Sequence, residues 1–143
     1  MQNPSNTSPT SVLATSSAAI ALPVEDSSLQ LALCAVQAAE NRKGADISLL
    51  RITAVSVLSD YFVIVTGFSK VQVRAIANSI ADAVEEDLQR VPRHVEGLGE
   101  ASWVLLDYGD VIVHVLMPQE REFYDLEAFW GHAEKVEYAD LLA

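Results

Sequence analysis

Trp103, Asp107 and His114 carry the side chains best suited to chemistry or recognition, within the run Trp103-Val-Leu-Leu-Asp-Tyr-Gly-Asp-Val-Ile-Val-His114. A histidine beside a carboxylate can serve as a general base with its orienter, provided that a nucleophile stands on the same surface. The run reads as a hairpin of two strands, Ser102–Tyr108 and Asp110–Leu116, turned at Gly109. Strand side chains alternate between faces, so Val104, Leu106 and Tyr108 share one face and Trp103, Leu105 and Asp107 the other. Two-residue turns at Tyr108-Gly109 or Gly109-Asp110 differ by two residues in register, so either one pairs the same faces. Val111, Val113 and Val115 therefore join the first face, which is apolar throughout and belongs in the core. Ile112 and His114 join the second. The hydroxyl of Ser102 projects opposite to Trp103, so the second face lacks a nucleophile. Two readings stand for that face: a helix covers it, with Trp103 as packing and His114 hydrogen-bonded to Asp107, or it is a contact surface anchored by Trp103.

Aromatic residues recur in Arg121-Glu-Phe-Tyr-Asp-Leu-Glu127 and Trp130, read as part of a last helix from about Gln119 to Trp130. Phe123 and Leu126 are expected to close the sheet from that helix. Tyr124, an amphipathic ring with a polar tip, suits an interface, with Glu127 beside it at the edge of the apolar side. Arg121 and Asp125 have the spacing of an i,i+4 ion pair.

These segments are positioned by a chain of 143 residues, the size of one domain. The single cysteine, Cys34, excludes an internal disulfide framework and multi-cysteine metal sites, and inside a helix it reads as a buried thiol. His94, His114 and His132 fall on separate elements without ligand spacing, so no metal and no cofactor are expected. No apolar stretch approaches the ~20 residues of a membrane span. The formal charge of −11 argues against binding nucleic acid by neutralising phosphates. That charge is unevenly placed: residues 1–81 hold five basic and five acidic side chains, residues 82–143 four basic and fifteen acidic. Such asymmetry steers a basic partner to one side, although acidity also serves solubility alone.

Along the chain, Met1–Ser28 holds thirteen Ser, Thr or Pro residues and reads as a disordered arm without export or import features. A capping box at Ser27 and Gln30 opens a helix that Gly44 can close. Asp46–Ile52 reads as a strand and Tyr61–Thr66, apolar on both faces, as a central one. Ser69 and Gln72 cap a second helix that ends before Pro92, and a short strand near Arg93–Glu96 precedes the hairpin. The expected fold is α/β, a single mixed sheet flanked by helices.

Asp60-Tyr-Phe-Val-Ile-Val-Thr-Gly-Phe-Ser69, Val95-Glu-Gly97, the hairpin run and Arg121–Glu127 with Trp130 together resemble the ribosomal silencing factor, or Iojap, family. The resemblance spans about Leu29 to Trp130 and divides the chain into the arm 1–28, a silencing-factor domain 29–131 and an acidic tail 132–143. It implies a nucleotidyltransferase-like topology and a cytoplasmic repressor of translation that is not an enzyme. The implied partner is the large ribosomal subunit through its ribosomal protein fourteen, where the bound protein blocks joining of the small subunit. Carried over, the partner-binding positions are Trp103, Asp107, His114, Tyr124 and Glu127; a homodimer of the free protein is an open option. The alternative is a nucleotidyltransferase-type enzyme or nucleotide-binding protein, since Thr66-Gly67-Phe68-Ser69 has the form of a phosphate-holding turn. That chemistry needs carboxylates two apart on a later strand, and no such pair occurs.

Overall fold

The computed structural model describes residues 26–142. The first helix, α1 (Ser27–Asn41), starts where the Asp26 carboxylate accepts the N–H of Leu29 at 2.8 Å. The expected capping box at Ser27 and Gln30 is thus replaced by a cap one residue earlier, with a negative charge at the positive end of the helix dipole. Ser28 is buried in the first turn; its hydroxyl donates to Asp110 at 2.7 Å and lies 3.0 Å from Asp60. The arm read as Met1–Ser28 therefore gives up Asp26, Ser27 and Ser28 to the folded domain, and its other residues, 1–25, lie outside the described ones. Past the end of α1, the left-handed residue is Lys43 (φ 61°), not Gly44.

Strands β1 (Ala45–Arg51) and β2 (Tyr61–Thr66) form an antiparallel pair, and all six residues of β2 are buried. Helix α2 (Lys70–Leu88) follows, capped by Ser69, whose hydroxyl accepts the N–H of Gln72 at 3.0 Å. Gln72 in return accepts the N–H of Phe68 at 2.8 Å. Gln89 in the left-handed conformation (φ 54°) ends α2, ahead of Pro92.

Strands β3 (His94–Glu96), β4 (Trp103–Asp107) and β5 (Val111–Leu116) form an antiparallel meander, and β5 runs parallel to β2. The β4–β5 turn is Gly109-Asp110: Tyr108 donates its N–H to the Val111 carbonyl at 2.9 Å, and Gly109 takes the positive φ of 91° that the tight turn requires. The cross-strand pairs Val104–Val115 and Leu106–Val113 lie on the core face; Trp103–Leu116, Leu105–His114 and Asp107–Ile112 lie on the other.

The last helix differs from expectation. It is broken into α3 (Pro118–Tyr124) and α4 (Leu126–Phe129) at Asp125, whose φ is 46°. Asp125 caps the second piece by accepting the N–H of Ala128 at 3.3 Å. It does not pair with Arg121, which turns toward the sheet instead. The segment read as a tail joins the fold within the described residues: β6 (Glu134–Lys135) pairs antiparallel to β1, and Val136 donates its N–H to the Leu49 carbonyl at 2.8 Å. Helix α5 (Ala139–Leu142) follows.

The mixed six-stranded sheet has the order β3-β4-β5-β2-β1-β6. Helices α1 and α2 cover one face and form the main core with Val63, Val65, Val104, Leu106, Val113 and Val115. The opposite face holds a smaller cluster of Leu50, Ile52, Phe62, Ile64 and Leu116, partly roofed by Leu126, Trp130 and Ala133. Half-buried Trp103 and Ile112 mark where that roof gives out.

Candidate functional site

Trp103 stands at the start of β4, on the face that α1 and α2 leave uncovered. Its indole N–H donates to Nδ1 of His114 at 3.2 Å, which makes Nδ1 the acceptor and leaves the proton of the neutral imidazole on Nε2. His114 is only 5% exposed, and burial pushes its imidazole down to about 4. Its ring also meets the edge of Phe62 at 4.9 Å between centroids. Outward from Trp103, Tyr124 lies 4.8 Å away between ring centroids, and Phe123 lies 5.0 Å from Tyr124. A ladder of rings thus climbs from the buried Phe62 through His114 and Trp103 to solvent.

The top of the ladder is open. Phe123 is 79% exposed, Tyr124 52% and Phe129 76%. The expectation that Phe123 closes the sheet is overturned, because the break at Asp125 rotates α3 away from the line that α4 follows. Leu126 does pack against the smaller cluster, as does Trp130, whose ring meets Phe62 at 5.4 Å. The residue that could have revealed this is Asp125: an Asp ahead of a short apolar run is a helix cap as readily as a mid-helix ion-pair partner.

The five residues singled out from sequence do not form one continuous patch. Trp103 and Tyr124 touch each other and reach the surface. His114 lies beneath Trp103 and is bonded to it, not to Asp107. Asp107 sits at the far end of β4, accepting the Gly109 N–H at 2.7 Å beside Arg93 at 3.4 Å. Its geometry shapes the turn. Glu127 faces Arg121 and accepts the hydroxyl of Ser48 at 2.8 Å. Burial by itself would raise the Glu127 carboxyl, but the bonds from Arg121 and Ser48 outweigh it and hold the group below its ordinary value.

The turn weighed as a phosphate cradle is taken in part by the protein's own groups. The Ser69 hydroxyl accepts the Gln72 N–H, the Gln72 side chain accepts the Phe68 N–H ahead of α2, and the Thr66 hydroxyl accepts from Arg121 at 2.9 Å. Asp110 is held by the fork of Arg90 at 2.8 and 3.0 Å. Burial pushes its carboxyl up, yet the bonds from Arg90 and Ser28 leave it lowered overall. Among the described residues, no group of three His, Cys, Asp or Glu side chains could hold a metal ion, and no helix is long and apolar enough to cross a membrane.

Comparison with known proteins places this face in context. The family model described as "Ribosomal silencing factor during starvation" matches residues 25–143. The ribosomal silencing factor RsfS of Bacillus subtilis is 43% identical over 99 residues, covering 69% of this chain and 83% of that protein. Its counterpart from Halalkalibacterium halodurans is 37% identical over 117 residues, covering 82% of this chain and 99% of that one. A crystal structure of a Chromobacterium violaceum protein, 37% identical, superimposes with a TM-score of 0.70 over 78% of this chain and 91% of that one. The match to the family model extends through residues 132–143, which the sequence reading had set apart.

Proposed function

The chain belongs to the ribosomal silencing factor family, and from that premise we propose that it represses translation by occupying the large ribosomal subunit. In this reading it docks on ribosomal protein fourteen and blocks joining of the small subunit, in the cytoplasm and without catalysis. The observation that carries the proposal is the exposed aromatic ladder of Trp103, Tyr124 and Phe123 on an otherwise half-roofed sheet face. Aromatic anchors of this kind dominate protein interfaces, and an exposed apolar cluster is unfavourable unless something covers it. The excess of acidic residues in 82–143, the half that carries the ladder, favours a basic partner such as a ribosomal protein.

Within the proposed partner-binding set, Trp103 and Tyr124 make the contact, His114 and Glu127 support them from behind, and Asp107 holds the rim of the face. Phe123 and Phe129 join the contact. A nucleotidyltransferase-like topology is part of the same proposal, supported by the parallel β2–β5 pair and the Gly67 turn into α2. Blocking subunit joining requires a body in the right place and no chemistry. Sedimentation of the purified protein with separated large and small subunits tests the proposal. Co-sedimentation with the large subunit is expected; binding confined to the small subunit contradicts it.

A further inference from the structure

Leu126 and Trp130 pack the second half of the broken helix onto the smaller cluster, but α3, which presents Phe123 and Tyr124, contains no buried residue to orient it. What ties the segment down is a guanidinium. Arg121 donates to the Thr66 hydroxyl at 2.9 Å, to the Ser48 hydroxyl at 3.2 Å, to Glu127 Oε1 at 3.3 Å and also to Glu127 Oε2. The Ser48 hydroxyl in turn donates a hydrogen bond to Glu127 at 2.8 Å, which closes the network. The partners come from three elements: Thr66 ends β2, Ser48 lies within β1, and Glu127 belongs to α4. The Arg121 side chain itself is 13% exposed, the most enclosed group of its helix segment's ion pair.

We infer that Arg121 is a positioning residue: its planar fork locks both halves of the broken helix to the sheet and so sets the angle at which Tyr124 stacks on Trp103 and Phe123 faces the partner. A guanidinium suits this role because its donors lie in one plane with fixed directions, whereas an ammonium on a flexible stem fixes only a charge. Stability alone would not require it. Enclosed ion pairs can often be replaced by apolar side chains of similar volume without loss, but an apolar pair specifies no such angle. Tyr124 lies one helical turn beyond Arg121, so a small rotation of α3 moves its ring off Trp103. The functional half of this inference rests on the partner-binding reading above; the structural half does not.

The test compares wild-type protein, Arg121→Met/Glu127→Met and Arg121→Lys by thermal melting, by nuclear Overhauser contacts between the Trp103 and Tyr124 rings, and by sedimentation with large subunits. The double variant is expected to melt near wild type, to lose the ring contacts and to bind large subunits at least tenfold more weakly. Retained ring contacts in the double variant overturn the inference whatever the binding result. Should the double variant fail to fold, Arg121→Lys decides in the same way, because it keeps the charge and loses the fork. If wild-type protein itself does not sediment with large subunits, the proposed function falls, and the ring contacts still decide the role of Arg121.

Discussion

Trp103 and His114 are joined across the β4–β5 hairpin by an indole N–H donated to Nδ1 at 3.2 Å, and this bond makes a buried neutral histidine part of the surface tryptophan's support. The imidazole is depressed from 6.5 to about 4 by burial. Above pH 6.5 it is neutral in the folded and the unfolded chain alike. Between about 6.5 and 4 the unfolded chain binds the proton and the folded one resists it, so stability falls as pH falls, by about 3 kcal/mol across the window. Glu127, lowered from 4.5, begins to add its loss at the acid end of that window, and Asp110, lowered from 3.8, adds its own below it. Denaturant melts at pH 7.5, 6 and 5 are expected to show the slope in wild-type protein. His114→Gln keeps an acceptor without titrating and should flatten it.

Phe123→Ser removes a ring that the fold does not bury. Its effect on folding stability is expected to stay within about 0.5 kcal/mol, as for surface positions in general. If the proposed docking on ribosomal protein fourteen holds, affinity for it should fall by ~2 kcal/mol, the loss expected at an anchoring aromatic. Paired thermal melts and isothermal titration separate the two quantities.

Trp103→Ala acts on both. The ring is half-buried over His114 and against Tyr124, so its loss opens the smaller cluster as well as the contact face. A drop in stability of about 2–3 kcal/mol is expected, below the cost of truncating a fully buried tryptophan, together with loss of partner binding. Trp103→Phe retains the ring and leaves the His114 acceptor without its donor, at about 1–2 kcal/mol. Urea titrations of the two variants should rank them in that order.

Gly97→Ala should fail where most loop alanines succeed. Gly97 has a φ of 87°, and a Cβ there would meet the Trp103 carbonyl at 2.0 Å, inside any allowed contact. Relief requires β4 to move, which displaces Trp103 itself. A loss of ~2 kcal/mol or more is expected in the urea midpoint, with a changed indole emission.

A chain beginning at Asp26 keeps the helix cap on Leu29 and the Ser28 bond to Asp110. A chain beginning at Leu29 loses both. The second should be less stable than the first by ~2 kcal/mol, measured as the difference between their urea unfolding free energies.

The hairpin was legible in the sequence because strand alternation assigns faces whichever two-residue turn forms, so Trp103 and His114 could be placed together before any coordinates. The burial of every residue in Tyr61–Thr66 and the Ser69 cap were legible for similar reasons, each being a local pattern with one good solution. The hydrogen-bond partner of His114 was not, since Asp107 and Trp103 lie on the same face and only the register and the depth of burial choose between them. The broken helix was hidden because Asp125 fits an i,i+4 pair with Arg121 as well as it fits a cap. Strand β6 has two residues, too few for any alternation to register. The arginine network escaped notice because it joins residues 48, 66, 121 and 127, which only the folded sheet brings together.

The most direct test of the account is reassociation of purified large and small ribosomal subunits, followed in sucrose gradients, with wild-type protein or the Phe123→Ser/Tyr124→Ala variant present in excess. The account predicts that wild-type protein holds the subunits apart and that the variant, folded but lacking the two outer rings of the ladder, lets them join. Undisturbed joining at saturating wild-type protein would contradict it, and so would a variant that blocks joining as well as wild type does.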